Sequence, residues 1–251
     1  MNNSGSSVLA RALEGCRRVV GFPGEGQTFF EDAVGFDRKR DAMPAPDCLG
    51  VSRIWTERAE VFEDPRNYDW KVIKDVWHRE WAKHPNYLSV EENIFLEKSP
   101  PNVLRADLLA EHFPGATFLL MARDPYAVVE GIRRREGYSL ERCANHWVRS
   151  SQRQLVYRKL LPRSLFLSYE SLCADPTAWV DAIRGHMAGL EDLDLNQKIT
   201  SRTLDGIAER PLEDLNPRQI ARLSLEQRAV ITACLRPHHE LVEQFGYRLR
   251  D

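Results

Sequence analysis

The chain has 251 residues, of which 43% are hydrophobic and 29% are charged, so it can bury a substantial core and is neither disordered nor fibrous. Its 35 basic and 37 acidic residues leave a formal net charge of −2, which argues against a general attraction to nucleic acid or to an anionic membrane. Any anion-binding site must therefore be built from a few locally placed residues.

The elements that the sequence predicts alternate between helices and short strands. The run TFLLMA at 117–122 is continuously apolar between turn signals, which predicts a strand buried on both faces. Such alternation predicts a three-layer α/β fold, a parallel sheet with helices on both faces that binds ligands at the carboxyl ends of its strands. In chain order we predict a helix over 7–15, strands over 17–22 and 94–97, a helix over 103–113, a strand over 117–122, helices over 125–135 and 138–161, a strand over 165–168, and helices over 176–190 and 224–246, the last with a break at Pro237.

The cysteines and histidines form no disulfide or metal pattern. The five cysteines are odd in number, widely spaced and without a CxxC pair, which favours reduced, buried thiols. The seven histidines lack the ligand spacing of a zinc site. No apolar run approaches the roughly 20 residues of a membrane span, and no signal peptide is recognisable. We therefore predict a cytoplasmic protein without a metal ion, folded as one domain over residues 1–251.

A Ser/Gly-rich loop at residues 3–7 leads directly into the first predicted helix. Glycine lets the backbone approach an anion closely, and the first amides of a helix point outward without an internal partner. Three serine hydroxyls add further donors, so the loop has the composition of a phosphate cradle. The alternative is a flexible terminus that caps the helix. The Walker A pattern GxxxxGK[ST] is absent.

Arg123 stands at the carboxyl end of the strand predicted over 117–122. A guanidinium in this place is suited to bidentate contact with a phosphate group. Asp124 and Pro125 supply the N-cap and the first residue of the helix that follows. The alternative is a surface arginine paired with Asp124 or Glu130, and the arginines at 133–135 are by default a solvated helix face.

Five segments, taken in order, resemble one known family. They are NSGSS at 3–7, FLEKSPPN at 95–102, FLLMARDPYAVVEGIRRR at 118–135, FLSYESLCADP at 166–176 and LVEQFGYRL at 241–249. Together they resemble the sulfotransferase superfamily, in particular its Golgi-type and bacterial branch with motifs similar to those of tyrosylprotein sulfotransferases. The resemblance implies a fold related to P-loop kinases, the donor 3′-phosphoadenosine-5′-phosphosulfate, no metal ion, and sulfuryl transfer to a hydroxyl or amine.

The resemblance also implies roles for individual residues. Lys98 matches the lysine that protonates or stabilises the leaving phosphate, and Glu25 matches the general base proposed for the tyrosylprotein branch. The alternatives are a surface ion pair between Lys98 and Glu97, and a solvated loop carboxylate at Glu25. The donor-binding residues that it implies are Asn3, Ser4, Gly5, Ser6, Ser7, Arg123, Arg135 and Tyr169.

Three features depart from the family pattern. Asn3 replaces the usual Arg or Lys, and Gly131 replaces the serine expected eight residues after Arg123, so one charge and one hydroxyl are missing. The family also has a strand immediately before the first loop, and these residues contain none. We therefore expect a fold that lacks its first strand, with Met1 an internal methionine of a longer natural chain or a misassigned start.

Four tryptophans between residues 55 and 81 favour core packing, with an acceptor pocket as the alternative. The acceptor itself is not identified by the sequence, and a small molecule, a carbohydrate or a peptide all remain open. The alternative functions are a non-catalytic descendant that binds a nucleotide or a partner, and a small-molecule kinase of the P-loop type. The oligomeric state stays open.

Overall fold

The computed structural model describes residues 4–26, 54–203 and 206–250. Strands and helices alternate through the first two thirds of the chain, as predicted. The strands are β1 (Val19–Val20), β2 (Ile94–Phe95), β3 (Phe118–Ala122), β4 (Ser164–Ser168), β5 (Ile199–Thr203) and β6 (Gly206–Arg210). The α-helices are α1 (Ser6–Glu14), α2 (Ala59–Glu63), α3 (Trp70–Trp81), α4 (Ala106–His112), α5 (Pro125–Glu136), α6 (Leu140–Leu160), α7 (Tyr169–Ala174), α8 (Pro176–His186), α9 (Asn216–Ile220), α10 (Leu225–Leu235) and α11 (His239–Gln244).

The parallel strands form two separate pairs among the described residues. Strand β1 pairs in parallel with β2, with Val19 opposite Ile94. Strand β3 pairs in parallel with β4, from Phe118 opposite Ser164 to Ala122 opposite Ser168. The remaining pair, β5 and β6, is an antiparallel hairpin. No ladder joins β2 to β3 in the part of the chain that the structure describes, so each has one edge without a strand.

The prediction that β3 is buried on both faces is wrong for its first three residues. Phe118, Leu119 and Leu120 are half-buried, and only Met121 and Ala122 are buried. The reason is the open edge of β3, since a strand with neighbours on both sides would be covered along its whole length.

Most predicted helices are confirmed, with shifted ends. The side chain of Asp124 caps α5 by accepting from the amide of Tyr126 at 2.8 Å, as the Asp-Pro pair predicts. The C-terminal helix is broken into α10, a 3-10 turn at Arg236–His238 and α11, and the turn contains Pro237. The sequence did not predict α9 or the β5–β6 hairpin, and the loop-like residues 36–50 lie outside the described residues.

Helix α5 is the most deeply buried helix segment and fixes the end of β3. Tyr126, Ala127, Val128, Val129 and Ile132 are fully buried among side chains of α6, α10 and α11. At about 1.5 kcal/mol or more for each buried apolar side chain, this packing strongly stabilises the β3–α5 turn. The backbone that carries Arg123 is therefore held on both sides of the turn.

One titratable group, His146 on α6, is fully buried within this core. Its Nδ1 lies 3.0 Å from Oγ1 of Thr56, and its Nε2 has no hydrogen-bond partner among the described residues. Burial lowers the pKa of His146 to about 3, so the ring is neutral near pH 7.

His146 should make the fold sensitive to acid. Unfolded histidine titrates near pH 6.5, so between about pH 6.5 and 3 the unfolded chain binds one more proton than the folded chain. The free energy of unfolding should then fall by up to about 1.4 kcal/mol per pH unit on acidification. His146→Asn, which can still bond to Thr56, should show a shallower decline in urea unfolding between about pH 6 and 4. Equal slopes for the two proteins would contradict this assignment.

Candidate active site

The loop before α1 forms a helix start that no side chain caps among the described residues. Ser4 is fully buried, and Gly5 is the N-cap with a φ of 90°. The carbonyl of Gly5 accepts from the amides of Val8 and Leu9, so the loop is held by the helix it precedes. An uncapped helix start without a nearby acidic side chain favours an anion there. Asn3 lies outside the described residues.

Gly5 is needed at this place for two physical reasons. Its positive φ is the left-handed conformation that glycine adopts at no steric cost. A Cβ at this position would also lie 2.6 Å from Cδ2 of Tyr169, a distance that no side chain tolerates. Tyr169 is the first residue after β4, so the contact brings the α1 loop against the carboxyl end of that strand.

Arg123 joins the same group of residues and is buried, with 6% of its surface exposed. Its guanidinium lies 3.9 Å from the centre of the Tyr169 ring, close enough for a cation–π interaction. The interpretation of Arg123 as a surface arginine is therefore wrong. Three sequence-predicted residues, Gly5, Arg123 and Tyr169, lie together at the carboxyl edge of the strands.

Helix α9 contributes two partners of Arg123 that the sequence did not reveal. Nε of Arg123 donates to Oδ1 of Asn216 at 2.7 Å, and Nη2 donates to Oε1 of Gln219. The amide of Asn216 in turn donates to Glu170, which also accepts from the backbone amide of Asp124 at 2.8 Å. No motif marks the helix, because short polar pairs such as Asn and Gln have no periodic signature.

Tyr169 also anchors the segment that leads into α9. Its hydroxyl donates to the carbonyl of Glu213 and accepts from the amide of Leu215 at 3.3 Å. Burial raises the pKa of Tyr169, and the nearby positive charge of Arg123 offsets this only in part. The phenol is therefore neutral and serves as a hydrogen-bonding support.

Arg135 stands apart from this group along α5. About 15 Å of helix separates Pro125 from Arg135, and Nε of Arg135 donates to the carbonyl of Gly131 on its own helix at 3.0 Å. Arg134 pairs with Glu130 at 2.8 Å, as a helix surface residue does. A shared phosphate site between Arg123 and Arg135 stays a prediction.

The two residues predicted to be catalytic are in direct contact. Nζ of Lys98 lies 2.6 Å from Oε1 of Glu25, although the residues are far apart in sequence. Both side chains are partly buried, with 24% and 30% of their surface exposed. Lys98 follows β2 and Glu25 follows β1, so pairing of these two strands brings the loops together. The surface alternatives for the two residues are thereby excluded.

The aromatic helix α3 holds both of these loops in place. Nε1 of Trp77 donates to the carbonyl of Gly26 at 3.2 Å, and Nε1 of Trp81 donates to the carbonyl of Leu96 at 3.3 Å. Phe22 stacks on Trp81 with ring centres 4.8 Å apart. Core packing is therefore confirmed for these tryptophans, and each places a polar N–H on a loop that carries a predicted catalytic residue.

Glu97 orders the loop around Lys98 from the other side. Its carboxylate accepts from the hydroxyl of Ser99 and from the amide of Asn102. Burial raises the pKa of Glu97, and these hydrogen bonds, together with nearby Arg105, offset the effect in part. A Cβ on Gly26 would lie 2.8 Å from Glu97, so the two catalytic loops pack directly on each other.

Residues 4–26, 54–203 and 206–250 contain no group of three or more His, Cys, Asp or Glu side chains placed to hold a metal ion. Across the same ranges, no helix combines the length and apolar character needed to cross a membrane. The cytoplasmic location and the single domain stay predictions.

Comparison with known proteins decides the family. A family model described as the sulfotransferase family matches residues 1–194. The chain belongs to the sulfotransferase family. Among solved structures it is similar to the sulfotransferase domain from the curacin biosynthetic pathway, with a TM-score of 0.55 and 15% sequence identity over 99% of this chain and 96% of that one. No curated protein matches the sequence.

These findings confirm the α/β sulfotransferase fold and support a transferase activity. They do not reach the branch within the family or the individual site residues. Residues 213–219 lie beyond the part that the family model matches, so the contacts of α9 with Arg123 come from the structure alone.

The hydrogen bond from Trp77 to Gly26 gives a test of how Glu25 is positioned. Trp77→Phe keeps an aromatic ring but removes the N–H, and a lost hydrogen bond of about 1 kcal/mol should lower kcat for sulfuryl transfer about five-fold. Trp179→Phe is the control, since Trp179 packs against the separate core cluster around α1 and β4. Melting temperatures should be recorded for both variants. Equal kcat values for the two would exclude a positioning role for Trp77.

Proposed function

We propose that the chain is a sulfotransferase that uses 3′-phosphoadenosine-5′-phosphosulfate and transfers the sulfuryl group to a hydroxyl or amine of a small molecule, a carbohydrate or a peptide. The observation that carries the proposal is the contact of 2.6 Å between Lys98 and Glu25 at the carboxyl ends of two neighbouring strands. An acid and a base held together in a partly buried place are what a transfer reaction with an acidic leaving group and a weakly acidic acceptor requires.

The donor-binding residues are proposed from the open start of α1 and from Arg123. The amides and hydroxyls of Ser4 to Ser7 would hold the 5′-phosphosulfate, and Arg123 would hold the 3′-phosphate. The described residues fit these roles, because the helix start has no side-chain cap and Gly5 allows close approach. Since Asn216 and Gln219 already bond to the guanidinium, a phosphate would have to share it with them or displace them.

The chemistry proposed for the chain's own residues is acid–base and electrostatic. When bound, the donor supplies the sulfuryl group and a phosphate leaving group. Glu25 would accept the proton of the acceptor at a carboxylate oxygen, and Lys98 would keep its ammonium against the oxygen that becomes negative. The ion pair between them holds both groups in their charged forms before the reaction.

The branch resemblance to tyrosylprotein sulfotransferases, with Glu25, Arg135 and Tyr169 in its roles, remains part of this proposal. The curacin domain is similar in fold, and at 15% identity its acceptor carries no weight for this chain beyond keeping natural-product hydroxyls among the candidates. A non-catalytic descendant would not need the contact between Lys98 and Glu25, which favours the enzyme.

Donor binding is tested with adenosine 3′,5′-bisphosphate, the desulfated product. Titration calorimetry should show binding, and Arg123→Lys should weaken it at least about ten-fold, because lysine keeps the charge but loses the bidentate contact. Arg134→Lys is the matched control, since Arg134 pairs with Glu130 on the surface of α5. No binding by the unaltered chain would reject the proposal, and equal loss in both variants would reject the role of Arg123.

Transfer is tested with donor labelled in its sulfuryl group and a panel of phenols, sugars and tyrosine peptides. Glu25→Gln and Lys98→Ala should each reduce product formation by about 10²- to 10⁴-fold while bisphosphate binding changes little. Lys83→Ala, which removes a surface pair with Glu80, is the control. Binding of the bisphosphate without any labelled product would support the non-catalytic alternative. Stabilisation by ATP and Mg²⁺ in place of the bisphosphate would support the kinase alternative.

A further inference from the structure

A cavity of about 750 Å³ lies between the two parallel strand pairs. Its lining includes residues 94–99 of β2 and the loop after it, and residues 117–121 of β3. From α1 it takes Ser6, Leu9, Ala10 and Leu13. We call this cavity the inter-sheet slot.

The slot meets the backbone edges of β2 and β3. Successive side chains of a strand point to opposite faces, so a cavity against one face touches every second residue. Here consecutive residues line the slot on both strands, which means that it faces their edges. The two edges are the ones without a strand partner in the described part of the chain.

Hydrogen-bonding groups of both strands point into the slot. The amides of Ile94 and Leu96 donate to β1 and its preceding residue, and the amide of Phe118 donates to the carbonyl of Arg163 before β4. Because direction alternates along a strand, the amides of Phe95, Leu119 and Met121 face the slot. Buried backbone groups of this kind are almost always paired in folded proteins.

A buried side chain gives an independent indication. Gln154 on α6 lines the slot with 2% of its surface exposed, and its Nε2 donates to the carbonyl of Met121 at 3.0 Å. Its Oε1 has no hydrogen-bond partner among the described residues. The slot therefore contains an acceptor that needs an N–H donor.

The slot runs along the full height of the strands. Ser6 and Lys98 line it at the carboxyl edge, and Thr117 and Arg163 line it at the amino edge. A strand of five residues, the length of β3, spans about 17 Å. Volume, shape and exposed backbone groups thus all suit one extended peptide.

The loop before α1 indicates the direction and source of that peptide. Gly5 touches Tyr169, so the loop lies at the carboxyl edge, and α1 covers one face of the slot. Polypeptide that enters Ser4 from the slot would run parallel to β2 and β3 and continue into α1, a normal strand–helix unit. Ser4 is fully buried, which suits a residue that continues a central strand.

We propose that the inter-sheet slot is the seat of a further parallel β-strand, formed by polypeptide that leads directly into Ser4 from its amino-terminal side. The strand joins β2 to β3 and makes one continuous five-stranded parallel sheet. Its side chains are apolar on both faces, because Leu9 and Leu13 lie on one side and Ala106 on the other.

The test compares the chain of 251 residues with the same chain extended by about 15 codons read in frame upstream of Met1 in the native gene. The extension should raise the melting temperature by at least about 5 °C. Hydrogen exchange at the amides of Phe95, Leu119 and Met121 should slow at least about ten-fold, whereas that of Phe118, which already has a partner, should change little.

Two variants of α1 distinguish the slot from a general effect of the extension. Ala10→Trp fills the slot and should cancel both the gain in melting temperature and the protection. Arg11→Trp, at the adjacent exposed position, should keep them. A stop codon directly upstream, a charged upstream segment, or an extension without effect would overturn the proposal. Equal protection of the unextended chain by an apolar ligand such as indole would assign the slot to a small molecule and overturn it as well.

Discussion

The ring of Tyr169 is the contact on which the arrangement of the site depends. It lies against Gly5 on one side and under the guanidinium of Arg123 on the other, so three separate segments meet at one aromatic face. The ring allows no side chain at position 5, which leaves the start of α1 open to an anion. Its hydroxyl also fixes the segment before α9, and that helix supplies Asn216 and Gln219 to Arg123. One residue therefore sets the distance between the two proposed phosphate sites.

The proposed catalytic pair depends on a second, aromatic support. Trp77 and Trp81 bury their rings in the core and direct their N–H groups to the carbonyls of Gly26 and Leu96. These carbonyls belong to residues next to Glu25 and close to Lys98. The pair is thus held by packing from beneath and by the hydrogen bonds of Glu97 from the side. The tryptophans act on the chemistry through backbone position, whether or not they touch an acceptor.

The sequence predicted the parts of the fold that rest on local patterns. The strand at 118–122, the Asp-Pro helix start and the Ser/Gly loop carry their signals within a few residues, and each is found close to its predicted place. The contact of Glu25 with Lys98 was implied only through family resemblance, since pairing of β1 with β2 brings it about. Helix α9 and its contacts with Arg123 were missed because tertiary packing, not local pattern, selects them. The incomplete burial of β3 was missed for a related reason, because the apolar run does not reveal whether both neighbours are present.

The central claim is that the open start of α1 and Arg123 form one donor site beside Glu25 and Lys98. A crystal structure of the chain with adenosine 3′,5′-bisphosphate tests it most directly. The account predicts the 5′-phosphate within hydrogen-bond distance of the amides of Ser6 and Ser7, the 3′-phosphate on the guanidinium of Arg123, and Nζ of Lys98 directed toward the 5′-phosphate. Binding of the bisphosphate elsewhere, with the start of α1 and Arg123 both unchanged, would contradict it.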